Sequence, residues 1–184
     1  MSVWVWIVIA AIVLVLAGAA ALAESKRRRA RTEHLQEQFG PEYTNVVSDA
    51  EDKRAAEREL EQRESRRQKL DIRPLSPESR ERFGGEWHEV QERFVDDPGG
   101  AVDDADRLVQ LVMVECGYPT DDFEQRAADV SVDHPEVVAN YRAAHAVHEA
   151  HRKGTATTEE LRHAFVGYRA LFDELLGAPV LAAR

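Results

Sequence analysis

Three regimes of hydrophobic patterning follow one another along the chain. From Val3 to Ala23 there is no charged residue and no polar face. As a helix this run is about 31 Å long, matching a hydrocarbon core of roughly 30 Å. A core helix that is apolar all round needs protein on every side, which a chain of 184 residues does not supply. The pattern therefore predicts a membrane-spanning helix. Ala21-Leu22-Ala23 before Glu24 is also similar to a signal-peptide cleavage site, but only Met1 and Ser2 precede the run and the basic residues lie after it, the reverse of a signal peptide.

The second regime, residues 32–70, is charged. Thr32 to Phe39 continues the first helix until Gly40-Pro41, a break after which Pro41 starts a new one. Between Ser48 and Lys69 the one large apolar residue is Leu60. A coiled-coil seam needs apolar residues every three and four positions through several heptads, so the stretch reads as a solvated helical stalk laced by pairs such as Glu59 with Arg63.

The third regime, residues 71–184, has helical periodicity throughout. Leu70 to Pro77 is an extended joint, because each proline pushes its predecessor out of the α region. Ser76-Pro77 then starts a helix lined by Phe83, Trp87, Val90 and Phe94, and Asp97-Pro98 starts a second whose wide apolar face ends at Gly117. A short helix from Asp122 to about Asp129 follows. A long one is predicted from Asp133-His134-Pro135 to Gly154. Thr157 and Glu160 form a capping box opening the last, lined by Leu161, Phe165, Tyr168, Phe172 and Leu175. No segment alternates at period two. The expectation is an all-α fold: transmembrane helix, charged helical stalk, and a bundle of four long helices and one short one.

Charge orients this architecture. Lys26, Arg27, Arg28, Arg29 and Arg31 follow the apolar run and no Lys or Arg precedes it, which places the C-terminal side in the cytoplasm. Trp4 and Trp6 fall at the far interface, where indole rings settle, and the five cations suit anionic headgroups. The chain carries 24 basic and 34 acidic residues; past residue 31 the counts are 19 and 33, a net charge of −14. That acidity excludes nucleic acid as an expected partner, since phosphate contact needs a basic face. The expected partners are the bilayer and another protein. A single cysteine, Cys116, forms no internal disulfide and sits among apolar neighbours as a small hydrophobe.

Candidate chemistry is sparse. His145, His148 and His151 recur every three residues, and two histidines one turn apart share a metal readily. Steps of three leave the first and last rings about 120° apart around the axis, however, so one straight helix does not converge all three. The adjacent pairs Asp96-Asp97, Asp103-Asp104 and Asp121-Asp122 diverge by about 100° on a helix and read as caps rather than as facing acid–base pairs. No nucleophile elbow, phosphate loop or dinucleotide fingerprint occurs, so no enzyme and no cofactor is expected. The least bland polar patch is Arg126, Asp133, His134, Tyr141 and His145, read as a recognition surface for a protein.

The words Phe39-Gly40-Pro41-Glu42-Tyr43, Leu70-Asp71-Ile72-Arg73-Pro74-Leu75, Arg93-Phe94-Val95-Asp96-Asp97-Pro98 and Asp122 through Arg126 to Val132-Asp133-His134-Pro135 resemble a group of uncharacterised bacterial single-pass membrane proteins with a C-terminal helical domain. The resemblance implies that architecture and a bacterial setting; it carries no reaction and no catalytic residue. The expectation from all these features is a membrane-tethered cytoplasmic interaction or scaffold domain. The alternative is a ligand- or metal-binding sensor using the histidine-bearing helix.

Overall fold

The computed structural model describes residues 3–119 and 122–177; the side chains at 3, 5, 7–11 and 13 are outside the description, as is Asp121. Seven helices and no strand occur among the described residues: α1 (Val3–Asp49), α2 (Lys53–Arg67), α3 (Pro77–Arg93), α4 (Pro98–Cys116), α5 (Phe123–Asp133), α6 (Val138–Arg152) and α7 (Thr158–Gly177). The fold is all-α. The run predicted to span a membrane coincides with the part of α1 that is incompletely described. Among the described residues no helix is long and apolar enough to cross a membrane.

Local signals set most helix ends. Ser76 accepts from Ser79 N at 3.0 Å, and Asp97 accepts from Gly100 N at 3.0 Å, each with proline at the first helical position. Gly117 ends α4 at φ 96°, and a side chain there would collide with the Asp71 carbonyl at 2.3 Å, where the joint crosses the helix end. Arg73 N donates to Cys116 O beside it. Thr157 and Glu160 make the reciprocal capping box, 2.7 Å one way and 3.3 Å the other.

The main core lies between α3, α4, α6 and α7. Trp87 stacks on Phe165 and Phe172 at centroid separations of 5.2 and 4.5 Å. Tyr141 and Tyr168 are fully buried at its centre. Helices α6 and α7 approach so closely that a Cβ on Gly167 would lie 2.8 Å from Asn140 O.

Two expectations need correction. The predicted short helix runs on to Asp133, where His134 N closes it on Val130 O, so the next helix begins at Val138 and Asp133 caps nothing. The Asp133 carboxylate instead takes Tyr118 Oη and Arg67 Nε, each at 2.5 Å. The charged segment is likewise no free stalk. Gly40, at φ 45°, kinks α1, and the chain folds so that Leu35, Phe39, Tyr43, Leu60 and Val132 form a second small core. Two arginines of α2 bind it to the domain, Arg66 to Asp129 at 2.9 Å and Arg67 to Asp133, while Arg63 pairs with Glu42 of α1 at 2.9 Å. Glu42 and Asp129 are wholly enclosed. Buried charges persist only when paired, and here guanidinium–carboxylate pairs take the place of an apolar seam.

Candidate functional site

Helix α6 turns His145 and His148 towards α4, where Asp106 interrupts the apolar face of Val102, Ala105, Val109 and Val112. Asp106 is only 6 % exposed. Its Oδ1 accepts from Tyr168 Oη at 2.9 Å and its Oδ2 from Gln110 Nε2 at 2.5 Å. Burial pushes the carboxyl's pKa up, but His145, the Tyr168 hydroxyl and the His148 charge together outweigh it and hold the group below its ordinary value. Asp106 is thus a carboxylate at neutral pH. Burial, reinforced by that negative charge, raises the Tyr168 phenol far out of range, so Tyr168 remains a donor.

The histidines face this carboxylate without bonding it. His145 Nδ1 lies 3.8 Å from Oδ1 and His148 Nδ1 lies 3.9 Å from Oδ2. A hydrogen bond needs about 2.7–3.2 Å. Both Nδ1 atoms are buried and have no hydrogen-bond partner among the described residues. A buried orphan of this kind costs about 1–3 kcal/mol. One ligand atom from each of Asp106, His145 and His148 falls within 4.8 Å of the other two.

Surrounding groups fix the rings. His145 lies flat on Phe123, centroids 3.6 Å apart and planes at 9°. His148 Nε2 is 2.9 Å from Asp103 Oδ1, although not aligned for a hydrogen bond. A cavity of about 320 Å³ opens beside the cluster, bounded by Asp103, Asp106, Gln110 and His148 with Arg107 and Arg152 at its edge. His151 does not join. Its ring packs on the first turn of α4, where a Cβ on Gly99 would sit 2.5 Å away. The structure therefore brings together two of the three candidate histidines, in keeping with their spread around the helix.

The residues expected to form a recognition surface are mostly internal ties. Arg126 and Tyr141 are buried and bonded to each other, Nε to Oη at 2.9 Å. Burial, opposed by Arg126, pushes the Tyr141 phenol up to about 12. Asp133 is held as described above. His134 is buried with Nδ1 3.5 Å from Glu174, and His145 belongs to the Asp106 cluster. Cys116 is equally inert, its thiol pushed up to about 11 by burial and the Glu115 charge.

At the N-terminal end Trp4 and Trp6 are 74 % and 61 % exposed. Lys26, Arg27 and Arg29 are exposed too, whereas Arg28 pairs with Glu24 at 2.8 Å and Arg31 with Glu61. The basic collar thus spends two of its five cations within the protein.

Asp106 is the member that sequence reading missed. Its signal was a charge at an apolar position of an amphipathic helix, four residues after Val102 and three before Val109. Comparison with protein-family models, with curated proteins and with solved structures finds no match to this chain.

Proposed function

We propose that the chain is a membrane-tethered cytoplasmic domain of the interaction or scaffold type. The observation that carries this reading is the outer half of α1. Ile12, Leu14, Val15 and Leu16 point to different sides of the helix, and all are more than half exposed. Nothing among the described residues covers these side chains, and a bilayer is the surrounding that suits an apolar surface on every side. The exposed Lys26, Arg27 and Arg29 suit anionic headgroups, and a cluster of cations just after the apolar run favours a cytoplasmic domain. The acidic domain is repelled by the same headgroups, which leaves its faces available to a protein partner.

Fractionation of cells expressing the tagged full chain tests the placement. The chain is expected in the membrane pellet after alkaline carbonate extraction, with its domain digested by protease in inverted vesicles and protected in intact cells. Release into the carbonate supernatant would overturn the tether. Digestion in intact cells would reverse the orientation.

A second reading, a metal- or ligand-binding sensor, is favoured by the enclosed group of Asp106, His145 and His148.

A further inference from the structure

We propose that Asp106, His145 and His148 bind one divalent transition ion of the zinc class, linking α4 to α6. The proposal is independent of membrane attachment and rests on four features of the site.

The first is unmet coordination. Two imidazole Nδ1 atoms, both buried and unpartnered, face opposite oxygens of one buried carboxylate. A cation placed between the two ring nitrogens and the carboxylate gives all three groups a partner. The second is distance. Zinc–ligand bonds of roughly 2.0–2.1 Å set tetrahedral ligand atoms about 3.4 Å apart, and one ligand atom from each of the three residues already lies within 4.8 Å of the others, so modest side-chain rotation closes the set on an ion.

The third is the outer layer of contacts. Metal-binding histidines usually present the second ring nitrogen to a carboxylate, and metal-binding carboxylates are themselves hydrogen-bonded. His148 Nε2 lies 2.9 Å from Asp103, close enough for a small ring rotation to make that hydrogen bond, while Tyr168 and Gln110 each donate to one Asp106 oxygen. The stack on Phe123 fixes His145. The fourth is access, because the adjoining cavity is bounded by Asp106 and His148 themselves.

The donor set selects the ion. Two imidazoles and one carboxylate suit zinc, cobalt, nickel or ferrous iron. Magnesium and calcium require more oxygen ligands, and soft cuprous ion requires sulfur. His151, packed against Gly99, is no ligand and serves as a control.

The test uses the full chain purified in detergent after chelator treatment, dialysed against zinc chloride, with bound metal measured by atomic emission and affinity by competition with a chromophoric chelator. One zinc per chain is expected for the native protein and for His151→Ala, and none of the same affinity for magnesium chloride. Asp103→Asn is expected to weaken zinc about 10- to 100-fold, and Asp106→Asn and His148→Gln to weaken it further. Cobalt chloride should give the visible bands of a tetrahedral site, absent in Asp106→Asn. Asp106→Asn retains an acceptor for Tyr168, and far-ultraviolet circular dichroism shows whether each variant is folded. Should His148→Gln unfold, the zinc-dependent rise in Tm of the native chain and its loss in Asp106→Asn decide the matter. Native protein that takes up no more zinc than Asp106→Asn, or that binds neither zinc nor cobalt, would overturn the site. So would a loss in His151→Ala equal to that in His148→Gln.

Discussion

Glu42 and Arg142, a hundred residues apart in sequence, meet at 2.8 Å with the carboxylate wholly enclosed. Arg63 reaches the other oxygen of the same group at 2.9 Å. One carboxylate just past the kink in α1 therefore joins three helices. Removing one member of a buried ionic group costs about 3–5 kcal/mol, because the remaining charges lose their partner. Arg142 keeps 30 % of its side chain exposed, so Glu42→Ala is expected at the low end, about 3 kcal/mol less stable. Urea unfolding followed by circular dichroism measures this. Replacing Glu42, Arg63 and Arg142 together with apolar residues of similar volume is expected to restore most of the loss, and failure to do so would show that the charges supply stability rather than register.

His134 gives the domain a dependence on acid. Burial lowers its pKa below the ordinary value, more than Asp133 and Glu174 beside it raise it, and Arg67 lowers it further. The unfolded chain therefore takes up a proton near pH 6.5 that the folded chain refuses. This contribution vanishes above about pH 7 and destabilises the fold progressively as pH falls below about 6.5. Thermal melts between pH 7.5 and 5 are expected to show a smaller drop in Tm for His134→Asn than for the native chain. An identical drop in both would place the acid sensitivity elsewhere.

Two glycines predict opposite outcomes for the same substitution. Gly85 sits inside α3 with nothing within 4 Å of an added Cβ, so Gly85→Ala is expected to stabilise by about 1 kcal/mol. Gly167 sits where α7 meets α6, and its added methyl would press on the Asn140 carbonyl. Gly167→Ala is expected to destabilise by about 1–3 kcal/mol through overpacking. Tm values moving in the same direction for both would contradict the packing described.

What the sequence made legible was local. The caps at Ser76, Asp97 and Thr157 and the stop at Gly117 depend on residues within a few positions of each other, and all form as their side chains dictate. The break at Gly40 was legible for the same reason. The docking of α2 was not, because its stripe of Ala56, Leu60, Arg63 and Arg67 holds only two apolar residues. Read as helix spacing alone, Arg63, Arg66 and Arg67 share one face, and buried acids on other elements were needed to give that face a purpose. The boundary between α5 and α6 failed similarly: an aspartate before a histidine and a proline looks like a cap until Tyr118 and Arg67 claim its carboxylate. The histidine spacing correctly limited how many rings converge, while Asp106 had to come from another helix.

The kink at Gly40 has a mechanical side. Upstream of it, α1 holds helical geometry without another break, so Val3 to Phe39 is one rod of roughly 55 Å. Its inner end carries Leu35 and Phe39, both wedged into the small core against Leu60 and Val132. A helix is stiff in torsion, so twisting or sliding the outer end moves these two side chains within that core, and the swivel at Gly40 lies beyond them. Torque applied near Trp4 and Trp6 is thereby delivered to α2 and α5 instead of dissipating in a slack linker.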